Sequence, residues 1–289
     1  MVIPQSAVIP LPGPAYAVTN SEKDGMAMRN GRVRIFLLRR RAVAAVGALV
    51  LAGAIFWAVS YPAGAPASAV QRQLPIYSVE REQKMCSVSF DAAWGNEDTQ
   101  ALIDILARYN VKATFFCVGD WAEKYPESVK ALHDAGHEVM SHSNHHDHYN
   151  SLSADQIVAD VTASNERISA VTGVTPTLIR CPYGEYDDHV IAAIRSMGME
   201  PIQWDVDSLD WKDYDAETIC KRVTSRVQPG SIVLFHNAAL HTPEALPAIL
   251  SYLINDGYTV VPISQLILQA PYTIDHTGRQ FPAETVSPT

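Results

Sequence analysis

The segment GHEVMSHSNHHDHY contains two histidines, His142 and His146, in an H-x-x-x-H pattern. Imidazoles four residues apart can lie on one side of a turn and bind the same cation. A polar loop rich in histidine arises easily, however, and His145 and His148 leave open which pair would bind. The pattern is therefore a hypothesis of a divalent metal site, and other groups brought to the same place must select His142 and His146.

From Met85 onward the sequence contains seven short apolar runs, and charged or titratable residues stand at the ends of five of them. They are Asp91, His142, Arg180, Asp207 with Asp210, and His236. Taken singly, each has a structural explanation: Asp91 could cap a helix, Arg180 could form an ion pair, and His236 could be a satisfied core residue. His236 is equally suited to act as a general acid. Their joint placement indicates a candidate active site.

The elements that would position these residues alternate between short apolar strands and amphipathic helices. The expected strands are Cys86–Asp91, Ala113–Val118, Glu138–Ser141, Leu178–Cys181, Pro201–Trp204, Ser231–His236 and Thr259–Pro262. The expected helices are Thr99–Tyr109, Glu127–Ala135, Ala154–Thr172, His189–Met197, Ala216–Val227 and Pro243–Asn255, the third headed by a capping box at Ser153 and Gln156. This alternation predicts an α/β fold, a barrel of about seven parallel strands whose carboxyl ends carry the functional side chains.

Ahead of this region, Ala42–Tyr61 is a 20-residue run without a charged side chain. A helix of that length spans roughly 30 Å, the thickness of a bilayer core. Arg39, Arg40 and Arg41 precede the run directly. The positive-inside rule then predicts a single-pass anchor in the cell membrane, with residues 1–41 in the cytoplasm and the rest of the chain outside it.

Two alternatives to an uncleaved anchor stay open. Ala67-Ser68-Ala69 offers an A-x-A site at which a signal peptide could be removed, which would make the protein secreted. Met26 and Met28 could each be the true start of translation. In either case we expect a linker over residues 62–73, a main domain over residues 74–269, and a loosely ordered tail over residues 270–289.

Charge and cysteine content restrict the classes of partner and site. Residues 1–41 carry a net charge of +5, whereas the other 248 residues carry −14. An acidic main body argues against a nucleic-acid partner, because phosphate binding needs a basic face. The four cysteines are widely spaced and include no C-x-x-C, which disfavours a zinc ribbon or thioredoxin-type site. We interpret them as structural thiols, with a disulfide left open.

Five short motifs carry a family resemblance: SFDAAWG (Ser89–Gly95), HSNHH (His142–His146), RCPYG (Arg180–Gly184), DSLDW (Asp207–Trp211) and LFH (Leu234–His236). In this order they resemble the polysaccharide deacetylase family, the NodB homology domain of carbohydrate esterase family 4. The resemblance covers Leu74–Gln269 and is nearest to the cell-wall and spore-type deacetylases of Gram-positive bacteria. It implies a distorted barrel of the NodB type and a hydrolase that removes N-acetyl groups from peptidoglycan or a chitin-like glycan. We expect the protein to be a monomer.

The same resemblance implies roles for four residues, three of them at strand ends. His142 and His146 would hold a divalent metal, commonly zinc in this family. Asp91 would be the general base that takes a proton from the attacking water. His236 would be the general acid that protonates the leaving amine.

Five further residues receive supporting roles from the resemblance. Arg180 would orient Asp91, and Asp210 would hold His236 and favour its protonated form. The backbone N–H of Tyr183 would stabilise the oxyanion. Trp211 and Leu234 would line an apolar pocket for the acetyl methyl group.

The first motif departs from the family pattern T-F-D-D-G, in which the second aspartate is the third metal ligand. Ala92 stands at that position. Since three protein ligands and a water are usual for a catalytic zinc, the site would need another carboxylate. The candidates are Glu97, Asp98, Asp147 and Asp91 itself. The third motif also has Cys181 where the family commonly has proline.

Three functions remain to be compared. The first is an active N-acetyl amino-sugar deacetylase, favoured by Asp91, Arg180, Asp210 and His236. The second is a non-catalytic module that binds cell-wall glycan, suggested by Ala92. The third is hydrolysis of another amide on the same scaffold, since a fold does not determine a substrate.

Overall fold

The computed structural model describes residues 40, 43–53, 56 and 72–283 of the 289-residue chain. The chain divides into two compact units, Met1–Gln71 and Arg72–Thr289. In the first unit, residues 43–53 are helical and exposed. Among the residues described, no helix is both long and apolar enough to cross a membrane. Part of the predicted span Ala42–Tyr61 and most of the predicted linker lie outside those residues, as does the segment 1–39.

The second unit contains a parallel sheet built from eight strands. In chain order these strands are β2 (Met85–Ala92), β3 (Thr114–Cys117), β4 (Glu138–Ser141), β5 (Leu178–Ile179), β6 (Glu200–Pro201), β7 (Val206–Asp207), β8 (Ile232–His236) and β9 (Thr259–Val260). Seven of them follow the spatial order β6–β5–β4–β3–β2–β8–β7, and β9 pairs with the beginning of β2. The predicted parallel arrangement is confirmed.

The sheet is a curled half-barrel of seven parallel strands, which is consistent with the distorted barrel of the NodB type that the resemblance implied. Its strand order begins at β6 and ends at β7. Both end strands have only two residues. On its far side β6 is bonded by the segment at Ile76, whose N–H donates to the Pro201 carbonyl at 3.0 Å.

Helices connect the strands and cover the sheet. They are α1 (Thr99–Arg108), α2 (Gly119–Lys124), α3 (Pro126–Asp134), α4 (Ala154–Thr172), α5 (Asp188–Ser196), α6 (Ala216–Thr224), α7 (Thr242–Asn255) and α8 (Ile263–Leu266). The predicted bounds of α4 are confirmed, and so is its capping box. The Ser153 hydroxyl accepts from the Gln156 N–H at 3.3 Å, and the Gln156 side chain accepts from the Ser153 N–H at 2.9 Å. Neither α2 nor the short α8 was predicted from the sequence.

Strand β2 lies between β3 and β8 and determines where the candidate base is placed. The rings of Phe90 and Phe115 stack with centroids 4.8 Å apart, and Phe235 lies 5.4 Å from Phe90 on the other side. These contacts fix the register of β2 against β3 and β8. Asp91 is consequently paired in register with His236 on β8. Paired residues on neighbouring strands point to the same face, so both side chains project from the same face and end of the sheet.

A second, three-stranded sheet contradicts the prediction of a loose carboxyl-terminal tail. It contains β1 (Ser78–Val79), β10 (Tyr272–Ile274) and β11 (Arg279–Pro282) in the order β1–β11–β10. Gln280 on β11 is fully buried, and its amide bonds the N–H and C=O of Leu268 at 2.7 and 3.0 Å. A buried polar side chain that satisfies backbone groups anchors the hairpin, so the folded domain extends past Gln269 to residue 283. Residues 284–289 lie outside the description.

A glycine allows β1 to pass close to the main sheet. Gly230 precedes β8 and has φ +85°, and its carbonyl accepts the N–H of Val79 at 2.9 Å. A Cβ at position 230 would lie 1.6 Å from the carbonyl oxygen of Val79. Only glycine fits both this left-handed conformation and this close approach.

Candidate active site

A cavity of about 510 Å³ opens at the carboxyl ends of the strands. Its lining includes seven of the nine residues selected from the sequence, namely Asp91, His142, His146, Tyr183, Trp211, Leu234 and His236. The other two, Arg180 and Asp210, are fully buried behind it. The structure therefore brings the whole predicted set together. Their individual chemical roles stay predictions.

Asp91 and Arg180 form a buried ion pair at the base of the cavity. The Arg180 Nη1 donates to Asp91 Oδ1 at 2.7 Å, and its Nη2 donates to the Ser89 hydroxyl at 2.9 Å and the Gln203 carbonyl at 3.1 Å. Burial of Asp91 raises its pKa, but the charge and hydrogen bond of Arg180 outweigh that effect and leave the pKa below its usual value. Asp91 is thus held ionised, with one oxygen occupied and Oδ2 free.

His142 presents a ring nitrogen to that free oxygen. Its Nδ1 donates to the Arg180 carbonyl oxygen at 2.7 Å, since a carbonyl can only accept. In the neutral ring Nε2 therefore carries a lone pair, and it lies 3.5 Å from Asp91 Oδ2. Burial lowers the pKa of His142 and favours this neutral form. Two lone-pair atoms that face each other at this distance call for a cation between or beside them.

His146 reaches the same place from a loop, although the H-x-x-x-H pattern suggests one regular turn. Residues 142–148 contain no helix, and Ser143 and His146 both have positive φ angles, 71° and 60°. The His146 N–H donates to the Ser143 hydroxyl at 2.9 Å, which curls the loop and brings the His142 and His146 ring centroids to 4.9 Å. Burial and the neighbouring His142 lower the pKa of His146 to about 4, and its buried Nδ1 has no hydrogen-bond partner.

His236 is held from below by Asp210. Its Nδ1 lies 2.8 Å from Asp210 Oδ1, and its backbone N–H donates to Asp210 Oδ2 at 2.8 Å. The Thr242 hydroxyl also donates to Asp210 Oδ2, at 2.7 Å. Burial of His236 lowers its pKa, but the hydrogen bond and charge of Asp210 reverse this and raise the pKa above its usual value. The ring nitrogen Nε2 is left to face the cavity, in a residue that favours its protonated form.

The two predicted aromatic residues form exposed walls. Tyr183 has φ 59°, and its ring lies 4.5 Å from the His146 ring and stacks on His148 at 4.2 Å. The Trp211 ring is 55% exposed and Leu234 is buried at the cavity floor. Tyr183 therefore both lines the cavity and fixes the position of His146.

The site also contains residues that were not selected from the sequence. Trp94, Trp204 and Asp207 line the cavity, and the buried amide of Asn237 bonds the loop after β2. Trp204 lies under the guanidinium of Arg180, 5.4 Å from its central carbon. Asp207 stands at a predicted strand end but had no predicted role. For Asn237 the sequence contains no signal, because its partners are backbone atoms about 140 residues away.

No carboxylate that replaces the family's third metal ligand is evident. Ala92 is 1% exposed and packs in the apolar core, and within the described part of the chain no three His, Cys, Asp or Glu residues cluster as a metal site. Glu97 accepts the Asn96 N–H at 2.9 Å, and Asp98 accepts the Ala238 N–H at 2.9 Å. Of the four candidates, the carboxylate that faces His142 is Asp91. His142 and His146, as neutral imidazoles, fit a divalent cation, although they form an incomplete set of ligands.

The chain is similar to known proteins of one family. The sequence profile of the family described as polysaccharide deacetylase matches residues 78–202. The crystal structure of the peptidoglycan deacetylase PdaC from Bacillus subtilis is similar to this chain with a TM-score of 0.59 and 33% identity, over 65% of this chain and 92% of that one. This chain belongs to the polysaccharide deacetylase family. The five motifs thus identified the family correctly.

The four cysteines of this chain are free thiols.

Two other relatives differ in what their names state. A peptidoglycan-N-acetylglucosamine deacetylase of Bacillus cereus is 31% identical over 172 residues, which is 60% of this chain and 62% of that protein. A protein of Bacillus anthracis described as a CE4 family pseudoenzyme is similar with a TM-score of 0.65 and 34% identity, over 67% of this chain and 68% of that one. The chain spans 40 to 62% of the length of the first curated relatives it matches. The family therefore includes both enzymes and a pseudoenzyme.

Proposed function

We propose that this chain is a metal-dependent hydrolase that removes N-acetyl groups from the amino sugars of a cell-wall glycan, with peptidoglycan as the principal substrate class. The observation that carries the proposal is the pair of ion pairs on neighbouring strands, Asp91 with Arg180 and His236 with Asp210. The first keeps a carboxylate ionised and the second favours a protonated imidazole. A base and an acid with opposed pKa shifts in one cavity are what hydrolysis of an amide requires.

His142 and His146 would hold the metal, for which we propose zinc. When bound, a divalent metal would polarise the acetamide carbonyl and lower the pKa of an attacking water. The Arg180 carbonyl supports this role, because it holds the Nδ1 proton of His142 and leaves Nε2 free as a ligand. Tyr183 supports it on the other side by packing against the ring of His146.

Asp91 and His236 would transfer the protons. Asp91 takes one proton from the attacking water through Oδ2 while Arg180 retains Oδ1. The water oxygen bonds to the carbonyl carbon, and the backbone N–H of Tyr183 is our proposed donor to the resulting oxyanion. His236 then donates the proton on its Nε2 to the amine nitrogen as the C–N bond breaks. Acetate and the free amine are the products, with Trp211 and Leu234 lining the pocket for the acetyl methyl group.

We place this domain outside the cytoplasm, tethered by Ala42–Tyr61 as a single-pass anchor. The support is the uncharged 20-residue run and the arginine cluster that precedes it. Secretion after cleavage near Ala69 is the alternative, and both put the domain beside the cell-wall glycan. A monomeric state and the lack of a nucleic-acid partner stay predictions.

Acetate release from peptidoglycan and from chitooligosaccharides tests the proposal. The full-length protein is loaded with zinc and compared with Asp91→Asn, which removes the base and keeps nearly the same shape. We expect acetate from the wild type and a loss of about 10³-fold in the variant. A loaded wild type that is folded, binds glycan and releases no acetate would overturn the proposal.

That contrary outcome would favour the second candidate, a non-catalytic glycan-binding module. The specific observation behind it is Ala92, which places a buried methyl group where the family pattern has a ligand. The pseudoenzyme of Bacillus anthracis shows that the fold exists without activity. A module of this kind would bind glycan as tightly after the substitution Asp91→Asn as before it. Another amide as substrate is separated by profiling acetylated and non-carbohydrate amides side by side.

A further inference from the structure

The indole of Trp94 is exposed although it closely follows β2, whose last seven residues are buried. It lines the cavity, is 68% exposed, and lies edge-on to His146 with ring centroids 6.1 Å apart. An exposed aromatic side chain in the wall of a cavity is a candidate for contact with a ligand. Trp94 has no part in the proton transfers or the metal site proposed above.

The loop that carries Trp94 is firmly held. The Asn237 side-chain oxygen accepts the N–H groups of Ala93 and Trp94 at 3.1 and 3.5 Å. Its amide nitrogen donates to the carbonyls of Trp94 and of Gly95, the latter at 2.9 Å. The Trp121 indole N–H also donates to the Gly95 carbonyl at 2.5 Å. With its backbone groups satisfied by buried side chains, the loop holds the backbone of Trp94 in a fixed position at the rim of the cavity.

Asn237 also links this loop to the acid. It is only 4% exposed, it directly follows His236, and its own N–H donates to the Asp91 carbonyl at 3.0 Å. The rim position of Trp94 is therefore coupled by one side chain to the strand ends that carry Asp91 and His236.

The remaining exposed rings of the cavity face the same space. Tyr183 is 57% exposed and Trp211 is 55% exposed, and both line the cavity with Trp94. Rigid aromatic faces give large apolar contact at little entropy cost, which suits the apolar C–H face of a pyranose ring. The Trp94 ring lies beside the His146 ring. We take the sugar that it contacts to be a neighbour of the sugar whose acetamide reacts.

We propose that Trp94 binds the pyranose next to the reacting sugar by stacking, and that Asn237 is the positioning residue that holds its indole there. This inference rests on the proposed glycan substrate. It gives the site a preference for a polymer over a monosaccharide, because only a chain can occupy both positions at once.

Kinetics against chain length test the inference. The zinc-loaded full-length protein is assayed for acetate release from the N-acetylglucosamine monosaccharide and tetrasaccharide. For Trp94→Ala we expect KM for the tetrasaccharide to rise about tenfold, with kcat within about twofold and no change for the monosaccharide. Trp94→Phe should recover part of the loss, and Asn237→Ala should reproduce the rise in KM in part. Tyr252→Ala, a substitution of an exposed aromatic residue outside the cavity, serves as the control and should change nothing.

Calorimetric binding of the tetrasaccharide separates this inference from the proposed function. It is measured on Asp91→Asn with and without Trp94→Ala, so that no turnover occurs. A wild type that binds glycan without releasing acetate overturns the hydrolase alone, and the binding comparison still decides the role of Trp94. Equal affinity before and after the substitution Trp94→Ala, or an equal loss for monosaccharide and tetrasaccharide, overturns the stacking role. A protein that binds no glycan overturns both.

Discussion

Asp210 contacts His236 twice, once through the imidazole Nδ1 and once through the backbone N–H, at 2.8 Å in both cases. Because each oxygen of the carboxylate takes one contact, the ring cannot turn without breaking alignment. The fully buried Asp210 also accepts the hydroxyl of Thr242 at 2.7 Å. Orientation and protonation of the proposed acid therefore depend on a single carboxylate.

Replacing that carboxylate should move the pH profile of deacetylation. The acid must be protonated to act, and Asp210 raises the pKa of His236 against the effect of burial. In Asp210→Asn the alkaline limb of kcat/KM should move to lower pH by about 1–3 units, and kcat at pH 7 should fall about 10²-fold. Thr242→Val removes a hydrogen bond to Asp210 but leaves its charge, so its alkaline limb should stay near that of the wild type. An unchanged limb in Asp210→Asn would show that His236 is not the acid.

A second histidine, remote from the cavity, should make folding stability depend on pH. His137 is 4% exposed, its Nδ1 accepts the Ala113 N–H at 3.2 Å, and its buried Nε2 has no partner. Burial, aided by the charge of Lys112, lowers its pKa to about 4. As pH falls below about 6.5, the unfolded chain takes up this proton before the folded one does, so stability is lost between about pH 6.5 and 4.

Urea denaturation between about pH 4.5 and 7.5 measures this effect. The shift corresponds to about 3 kcal/mol of stability over the full range. In His137→Gln the slope of unfolding free energy against pH should be shallower than in the wild type. His276→Gln, at an exposed histidine, should keep the wild-type slope. Equal slopes in the wild type and His137→Gln would contradict the prediction.

A carboxylate at position 92, beside Asp91, should lower the stability of the metal-free protein and raise its affinity for the metal. Ala92 is buried against apolar neighbours, so in Ala92→Asp the metal-free protein should lose about 2–4 kcal/mol. A metal that binds only the folded state recovers stability by mass action. The rise in Tm on adding zinc should therefore be larger in Ala92→Asp than in the wild type.

Ala92→Asn is the matched control, since its side chain has nearly the same volume as that of Ala92→Asp and carries no charge. It should lose stability without gaining a larger zinc response. Zinc content measured by elemental analysis gives a readout independent of activity. If zinc raises the Tm of the wild type and Ala92→Asp equally, the metal does not bind next to position 92.

Two glycines with positive φ but different surroundings provide a test of the contact between the sheets. Gly230→Ala would force a Cβ to 1.6 Å from the Val79 carbonyl oxygen, and we expect a loss of more than about 4 kcal/mol or no folding. At Gly173, where φ is +72° and nothing lies within 4 Å, alanine should cost about 1 kcal/mol. Urea denaturation of both variants measures the difference. A similar small loss at both positions would mean that β1 can move away from Gly230 at little cost.

The parts of the fold whose signals are local could be predicted from the sequence. Both ends of helix α4 could be predicted to the residue, because a capping box lies at its start and Gly173 directly follows its last residue. Asp91 and His236 were expected at the carboxyl ends of parallel strands. They lie side by side there, because parallel strands bring those ends to one edge of the sheet. Such signals need no knowledge of distant partners.

The misses depend on contacts between remote segments. Gln280 looks like a residue of a polar tail, yet it is buried because the backbone of Leu268 needs its amide. Asn237 and Trp94 could not be connected either, since their link exists only once β2 and β8 are side by side.

The pairing of β1 with β11 has a consequence for how the protein is made. Ser78 lies opposite Arg279, so the first strand of the domain waits about two hundred residues for its partner. A chain still attached to the ribosome presents β1 without this neighbour until synthesis has passed Pro282. Completion of the domain therefore cannot precede the emergence of β11, and a truncation that removes only β10 and β11 would remove the strand with which β1 pairs.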